Sequence, residues 1–139
     1  MNAPSTYDLT RHRDALAVVR LGRGAKIPSW AQASTLFSVT ATADETSIVC
    51  HAADVPAKAK RQGPFVAFEV TGPLDFALTG VLHTLLGPLA DAGISVFTLS
   101  TYDTDWILVR GGQADAAEEA WTAAGHTVHP PITPQEGDK

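Results

Sequence analysis

The run Phe65-Val66-Ala67-Phe68-Glu69-Val70, followed by Gly72-Pro73 and then by Leu78, Leu82, Leu85, Leu86 and Leu89, decides the fold. Six residues rich in Phe and Val have the length of a buried strand, and Gly-Pro stops it. The leucines then recur at helical spacing on one face, and Gly93 supplies the stop at the helix C-terminus. Pro88 falls inside that pattern and removes a helical N–H, so a kink or a tightened last turn is expected there.

Downstream, residues 94–101 and 106–110 read as a hairpin across Tyr102-Asp103-Thr104-Asp105. Residues 114–124 form an alanine-rich helix ended by Gly125, and His126-Thr127-Val128-His129 is a last short strand. The order from Phe65 onward is strand, helix, strand, strand, helix, strand. That is the βαββαβ order of an α+β, ferredoxin-like sandwich, with two helices on one face of an antiparallel sheet.

Upstream, residues 15–21 form a short apolar strand, and residues 36–41 and 47–50 a hairpin around Thr42-Ala43-Asp44-Glu45. Leu36-Phe37-Ser38-Val39-Thr40 aligns with Val96-Phe97-Thr98-Leu99-Ser100 at an offset of sixty positions. After a one-residue gap, Ile48-Val49-Cys50 aligns with Ile107-Leu108-Val109. This internal repeat predicts two tandem units, the upstream one reduced, with its helices shrunk to residues 28–33 and 55–60. The expected division is a degenerate N-terminal module over residues 7–62, a C-terminal module over 63–130, and a disordered tail over 131–139. The strand count is seven, unless residues 6–9 pair as well.

Composition narrows the function. In 139 residues, Lys+Arg 10 against Asp+Glu 15 gives a net charge of −5, which argues against nucleic-acid binding. No apolar run reaches the ~20 residues that span a bilayer. The polar start, residues 1–13, has no apolar stretch that would mark it for secretion. Cys50 is alone, which excludes an internal disulfide or a cysteine-built zinc site. A cytoplasmic protein without a membrane partner is the expectation.

Gly72-Pro73-Leu74-Asp75-Phe76, Leu78-Thr79-Gly80, the segment Pro88-Leu89-Ala90-Asp91-Ala92-Gly93-Ile94-Ser95-Val96-Phe97, and Ser100-Thr101-Tyr102-Asp103-Thr104-Asp105 resemble the ACT domains of the CASTOR type. Ser38 to Cys50 resembles the first module of such tandem pairs. The resemblance spans residues 16–128. It implies an ACT fold, a regulatory module that binds a small molecule, usually an amino acid, and no catalysis and no cofactor. It also implies assembly into dimers or larger oligomers. Tandem ACT sensors of eukaryotes carry two such pairs and this chain has one, so a sensor-like assembly would need a homodimer.

Several residues are candidates for ligand binding. Gly72 permits close approach of the backbone to a ligand, and Asp75 can cap the following helix. The free amides and partial positive charge of a helix N-terminus suit a carboxylate. A plain capped turn explains the same residues equally well. In the resemblance this loop, with Gly72, Leu74, Asp75, Phe76, Thr79 and Gly80, lines the ligand pocket. Ser100, Thr101, Tyr102, Asp103 and Asp105 follow a strand, and their carboxylates can receive an ammonium group. The alternatives there are a solvated turn and, behind both, a divalent metal, for which no third acid follows at ligand spacing. Ser38, Val39 and Thr40, in the upstream copy, are the expected opposite wall, and Asp105 is the expected ammonium partner.

The remaining candidates read as structural. His126 and His129, three apart on a strand, face opposite sides and suit a surface better than a metal. His83 is on the polar side of its helix. Cys50 is a small core residue. Trp30, Trp106 and Trp121 are core aromatics, with Trp121, after Glu118-Glu119, a candidate for a subunit contact. Arg11-His12-Arg13 reads as a solvated terminus. Gly22-Arg23-Gly24 lacks the third glycine of a dinucleotide fingerprint, and no nucleophile stands in a recognisable motif.

Overall fold

A computed structural model describes residues 6–31, 35–71 and 80–131. Seven strands, β1 (Asp8–Gly22), β2 (Ser38–Ala41), β3 (Glu45–His51), β4 (Arg61–Val70), β5 (Val96–Ser100), β6 (Asp105–Arg110) and β7 (Thr127–His129), form one sheet. Two helices, α1 (Val81–Asp91) and α2 (Ala114–Ala123), accompany it. The strand order is β2-β3-β1-β4-β6-β5, with β7 parallel to the start of β1 and the pairs along that path antiparallel. From β4 onward the elements follow the expected βαββαβ order.

The unexpected element is β1. It is 15 residues long and begins at Asp8, where the sequence suggested a strand only from residue 15. Residues 8–11 lie between β4 and β7, so the last strand of the C-terminal unit pairs with β1 and not with β4. Arg11-His12-Arg13 hid this half. Arg11 bonds Asp115 at 2.8 Å and Glu118 at 3.3 Å on α2. His12 stacks on Trp106 with ring centroids 5.2 Å apart and meets Glu69 at 2.9 Å. Polar side chains in a strand are stable where each finds a partner across the sheet or on a helix.

The two hairpins are equivalent. Ala41 pairs with Thr46 and Ser100 with Asp105, an offset of fifty-nine residues with no gap between the copies. Each turn is closed by a threonine: Thr42 N–H donates to Glu45 O at 2.9 Å, and Thr101 N–H to Thr104 O at 2.8 Å. The Thr42 hydroxyl also accepts from the Asp44 and Glu45 amides, and the Thr101 hydroxyl from the Thr104 amide, all at 3.1 Å.

The N-terminal half has no helix among its described residues. Where helices were expected there are turns: Ala31 N–H to Pro28 O at 3.1 Å, a 3₁₀ turn at Ala52–Asp54, and Ala59 N–H to Pro56 O at 3.0 Å. Pro28 and Pro56 lack a donor, and segments this short cannot recover the cost of starting a helix. These turns cover Ala17, Val19, Ile48 and Cys50, with Trp30 packed against them.

In the C-terminal half α1 and α2 cover Leu9, Phe68, Val70, Ile107 and Val109 with Val81, Leu85, Leu89, Ala117 and Trp121. Trp121 is fully buried, donates to Leu85 O at 2.8 Å and meets Phe68 edge-on at 4.9 Å. It is therefore the centre of the helix-side core and not a subunit contact. Pro88 is accommodated within α1, which runs on to Asp91. Gly93 (φ 74°) then ends the helix: Gly93 N–H bonds Ala90 O at 3.0 Å and Ile94 N–H bonds Leu89 O at 2.9 Å. Gly125 (φ 96°) ends α2 in the same way. Both glycines adopt the left-handed conformation that a side chain resists.

On the face away from the helices, Leu16, Val49, Phe65, Ala67, Trp106 and Leu108 form a further core with Leu36. Thr40 of β2 and Phe97 of β5, from opposite ends of the strand path, line one cavity. The sheet is thus curled, with this core on its concave side.

Candidate functional site

The strand register divides the expected site into two groups. β4 runs from Arg61 to Val70; Glu69 pairs with Trp106, so Asp105 and the Ser100–Asp105 turn are at the C-terminal end of β4. The chain leaves β4 there and returns at Gly80 to start α1. Ser38, Val39 and Thr40 are elsewhere: Ser38 is level with Val49, Val49 with Val18, and Val18 with Gln62 at the start of β4. At ~3.3 Å per residue the two groups are about 25 Å apart along the strand, so one chain does not bring them together. Gly72, Leu74, Asp75, Phe76 and Thr79 lie outside the described residues.

At the Asp105 end, alternation along β6 puts Asp105 on the same face as Ile107 and Val109, beneath the helices. The Ser100 hydroxyl donates to its carboxylate at 2.5 Å. Thr101 holds the turn, and Tyr102 and Asp103 are exposed. Gly80 occupies the cap position of α1 at φ 80° and has no side chain with which to cap the helix. Asp75, the expected cap, lies outside the described residues. The first amides of a helix have no partner within it, and such amides attract an anion.

Tyr7 is the residue that sequence reasoning missed. It is 7% exposed in the helix-side core, and its hydroxyl has no hydrogen-bond partner among the described residues. Burial, with the Asp105 charge as the second cause, raises the pKa of the phenol. The group therefore stays protonated, a buried donor without an acceptor in the field of a carboxylate. An unpartnered buried hydroxyl is costly and rare, and it points to a ligand or water that completes it. The alternation Tyr7-Asp8-Leu9-Thr10 was the available signal, obscured by the charges that follow.

Tyr7 is fixed by His126. The Tyr7 N–H donates to His126 Nδ1 at 3.0 Å, and Thr127 N–H donates to Tyr7 O at 3.1 Å. His126 is 4% exposed, contrary to the surface position expected for it, and burial lowers its pKa. His129 remains at the surface, 3.2 Å from Asp8. Cys50 is buried, and burial raises its pKa, so it has no thiolate character. His83 is exposed. Among the described residues no group of three His, Cys, Asp or Glu side chains could hold a metal, and no helix is long and apolar enough to cross a membrane.

Comparison with known proteins agrees with this architecture. The ACT domain family model matches residues 61–121, and a model of an N-terminal domain matches residues 14–58. A crystal structure of an Agrobacterium tumefaciens protein is 30% identical, covers 96% of this chain and 99% of its own, and superposes with a TM-score of 0.85. The regulatory subunit of aspartate kinase from Thermus flavus shares the fold at 9% identity, with a TM-score of 0.56 over 87% of this chain and 99% of that one. The human protein CASTOR3P is 46% identical over 43 residues, a match that spans 31% of this chain and 25% of the human protein. With the βαββαβ order, the helix-covered sheet and these matches together, residues 61–121 of the chain belong to the ACT-domain family.

Proposed function

We propose that this protein is a non-catalytic regulatory module that binds a small zwitterion, an amino acid, at the Asp105 end of its C-terminal unit. The observation that carries the reading is the Tyr7 hydroxyl, buried without a partner among the described residues in the electrostatic field of Asp105. An amino acid presents one carboxylate and one ammonium. The start of α1, where Gly80 supplies no capping side chain, and the Tyr7 hydroxyl offer donors to the carboxylate. Asp105, held by Ser100, offers an acceptor to the ammonium, and Thr101, Tyr102 and Asp103 border it. Gly72, Leu74, Asp75, Phe76 and Thr79, which precede Gly80 in the chain, complete the proposed wall. The fold likeness to a regulatory subunit of aspartate kinase and the ACT match support a regulatory role.

The two tandem units, a reduced one over residues 7–62 and a complete one over 63–130, belong to the same proposal, supported by the matched hairpins. So does a cytoplasmic homodimer. β5 and β2 end the strand path and present unpaired backbone, which favours pairing with a second copy.

A thermal-melt screen of the full chain against the common amino acids tests the reading. A ligand at ~100 times its Kd stabilises the fold by about 2.7 kcal/mol, a shift of several degrees. Asp105→Asn keeps the shape, removes the charge and is expected to weaken binding by about 1.5–3 kcal/mol. A shift that survives Asp105→Asn intact refutes the placement of the ammonium. No shift with any amino acid refutes the sensor reading, and a protein-interaction module with an unused pocket then takes its place.

A further inference from the structure

The concave face of the sheet holds a cavity of about 430 Å³ at the end away from Asp105. The register explains its walls. Thr40 is opposite Ser47, Ser47 is opposite Arg20, and Arg20 N–H donates to Lys60 O at 2.9 Å. Paired residues point to the same face of a sheet, so this rung sets two hydroxyls and a guanidinium side by side. The next rung on that face is Ser38, Val49, Val18 and Gln62, with an apolar middle. Phe97 of β5 forms the facing wall. A further cavity of about 250 Å³ shares Val18, Gln62 and Phe97 and adds Phe65 and Arg110.

The charge at this place opposes that of the chain. Arg20 and Lys60 line the first cavity on this face and Arg110 the second, three of ten Lys and Arg in a chain of net charge −5. Glu45 is the one acid among the described lining residues. Among the described residues none of these three cations has a carboxylate within ion-pair distance. Arg61 pairs with Val19, so its side chain is on the opposite face, where it donates to Val55 O at 2.9 Å. Arg110 spends a donor on the Gln62 side chain at 2.6 Å while lying over Phe65, and the Arg20 and Lys60 side chains make no such bond among the described residues. A cleft lined by one sign of charge concentrates ligands of the other sign.

We infer that this cavity is a binding site for a small organic carboxylate with an apolar, aromatic or branched, body. Arg20 with the Thr40 and Ser47 hydroxyls receives the carboxylate, and Val18 and Phe97 receive the body. A simple carboxylate fits better than a zwitterion, whose ammonium would lie beside Arg20 and Lys60 with Glu45 as its one acidic partner among the described lining residues. A bare phosphate would leave the apolar floor unused. The site is independent of the amino-acid site proposed at the other end of the sheet.

The test is an amide-detected NMR titration of the full chain with 3-phenylpropionate, with 3-phenylpropanamide and inorganic phosphate as controls. Saturable shifts are expected at residues 18–20, 40, 47 and 97, with the neutral amide at least about tenfold weaker. Arg20→Gln is expected to raise the probe's Kd at least about tenfold. Thr40→Val, which removes a hydroxyl and no charge, is expected to raise it severalfold. Arg11→Gln, on the helix side, is expected to leave it unchanged. Equal binding of the amide would mean an apolar groove only, and equal shifts with phosphate an anion patch only. The inference also fails if Arg20→Gln has no effect or if no saturable shift is found.

Discussion

Tyr7→Phe separates the cost of the proposed site from its use. The wild-type hydroxyl is buried without a partner among the described residues, and its desolvation opposes folding by about 1–3 kcal/mol. Phe fills the same core space among Leu9, Val70 and Ile107 and carries no polar atom. The ligand-free variant is therefore expected to be more stable by about 1 kcal/mol, a melting increase of about 3–4 °C for a chain of this size. With ligand the sign reverses. Loss of a hydrogen bond to a charged group weakens binding about tenfold or more, so ligand at ~100 times the wild-type Kd stabilises the variant by about 1.4 kcal/mol at most, not about 2.7. Urea unfolding of both proteins, with and without the amino acid found in the screen, gives all four free energies. A ligand-free variant less stable by 1 kcal/mol or more, on the order of a lost hydrogen bond, would show that the hydroxyl is satisfied in solution. A variant that gains stability and keeps its full ligand response would show that the hydroxyl is outside the site.

The neutral His126 ring accepts from Tyr7 N–H, and burial lowers its pKa below the unfolded value of 6.5. Its contribution is complete above pH 6.5 and is lost as pH falls from there through the lowered folded pKa, because the unfolded chain takes up the proton first. His126→Asn keeps an acceptor and is expected to flatten the stability profile below pH 6.5, measured by urea unfolding at several pH values. Trp121→Phe removes the bond to Leu85 O and leaves a cavity beside Phe68, with an expected loss of about 2–4 kcal/mol by the same assay. Two glycines give opposite signs: Gly87→Ala, inside α1 with open space around it, gains about 0.5–1 kcal/mol, whereas Gly93→Ala at φ 74° loses about 1 kcal/mol. Light scattering is expected to give a dimer, and a monomer at high micromolar concentration would refute the assembly.

The C-terminal half was legible because its period changes are clean: Phe65 to Val70, Leu82, Leu85, Leu86 and Leu89 of α1, and the glycine stops at 93 and 125 stand where the residues put them, while Leu78 lies outside the described residues. The N-terminal half was less so. The repeat located both hairpins, yet the shrunken helices proved to be turns around Pro28 and Pro56. The first seven residues of β1 escaped because Arg11 and His12 are polar side chains whose partners, Asp115, Glu118 and Glu69, are distant in sequence. Pattern reading sees a residue's own polarity and not its partner. The same blindness hid Tyr7 and Arg20, whose importance comes from what surrounds them. Ser38 to Thr40 were placed opposite the Asp105 turn because sequence equivalence carries no information on which end of a sheet a residue occupies. The register supplies that.

The long first strand also sets a schedule. Among the described strands β1 leaves the ribosome before the others and β7 after them, and the two pair directly, Asp8 with Thr127 and Thr10 with His129. The outer edge of residues 8–10 must therefore wait until β7 has been synthesised before it is covered. Contacts between residues this far apart in sequence close slowly, and an uncovered strand edge is a template for another chain. A chain that ends before Thr127 would keep that edge permanently open, so the three residues of β7 act as a closing seam whose loss would show as aggregation.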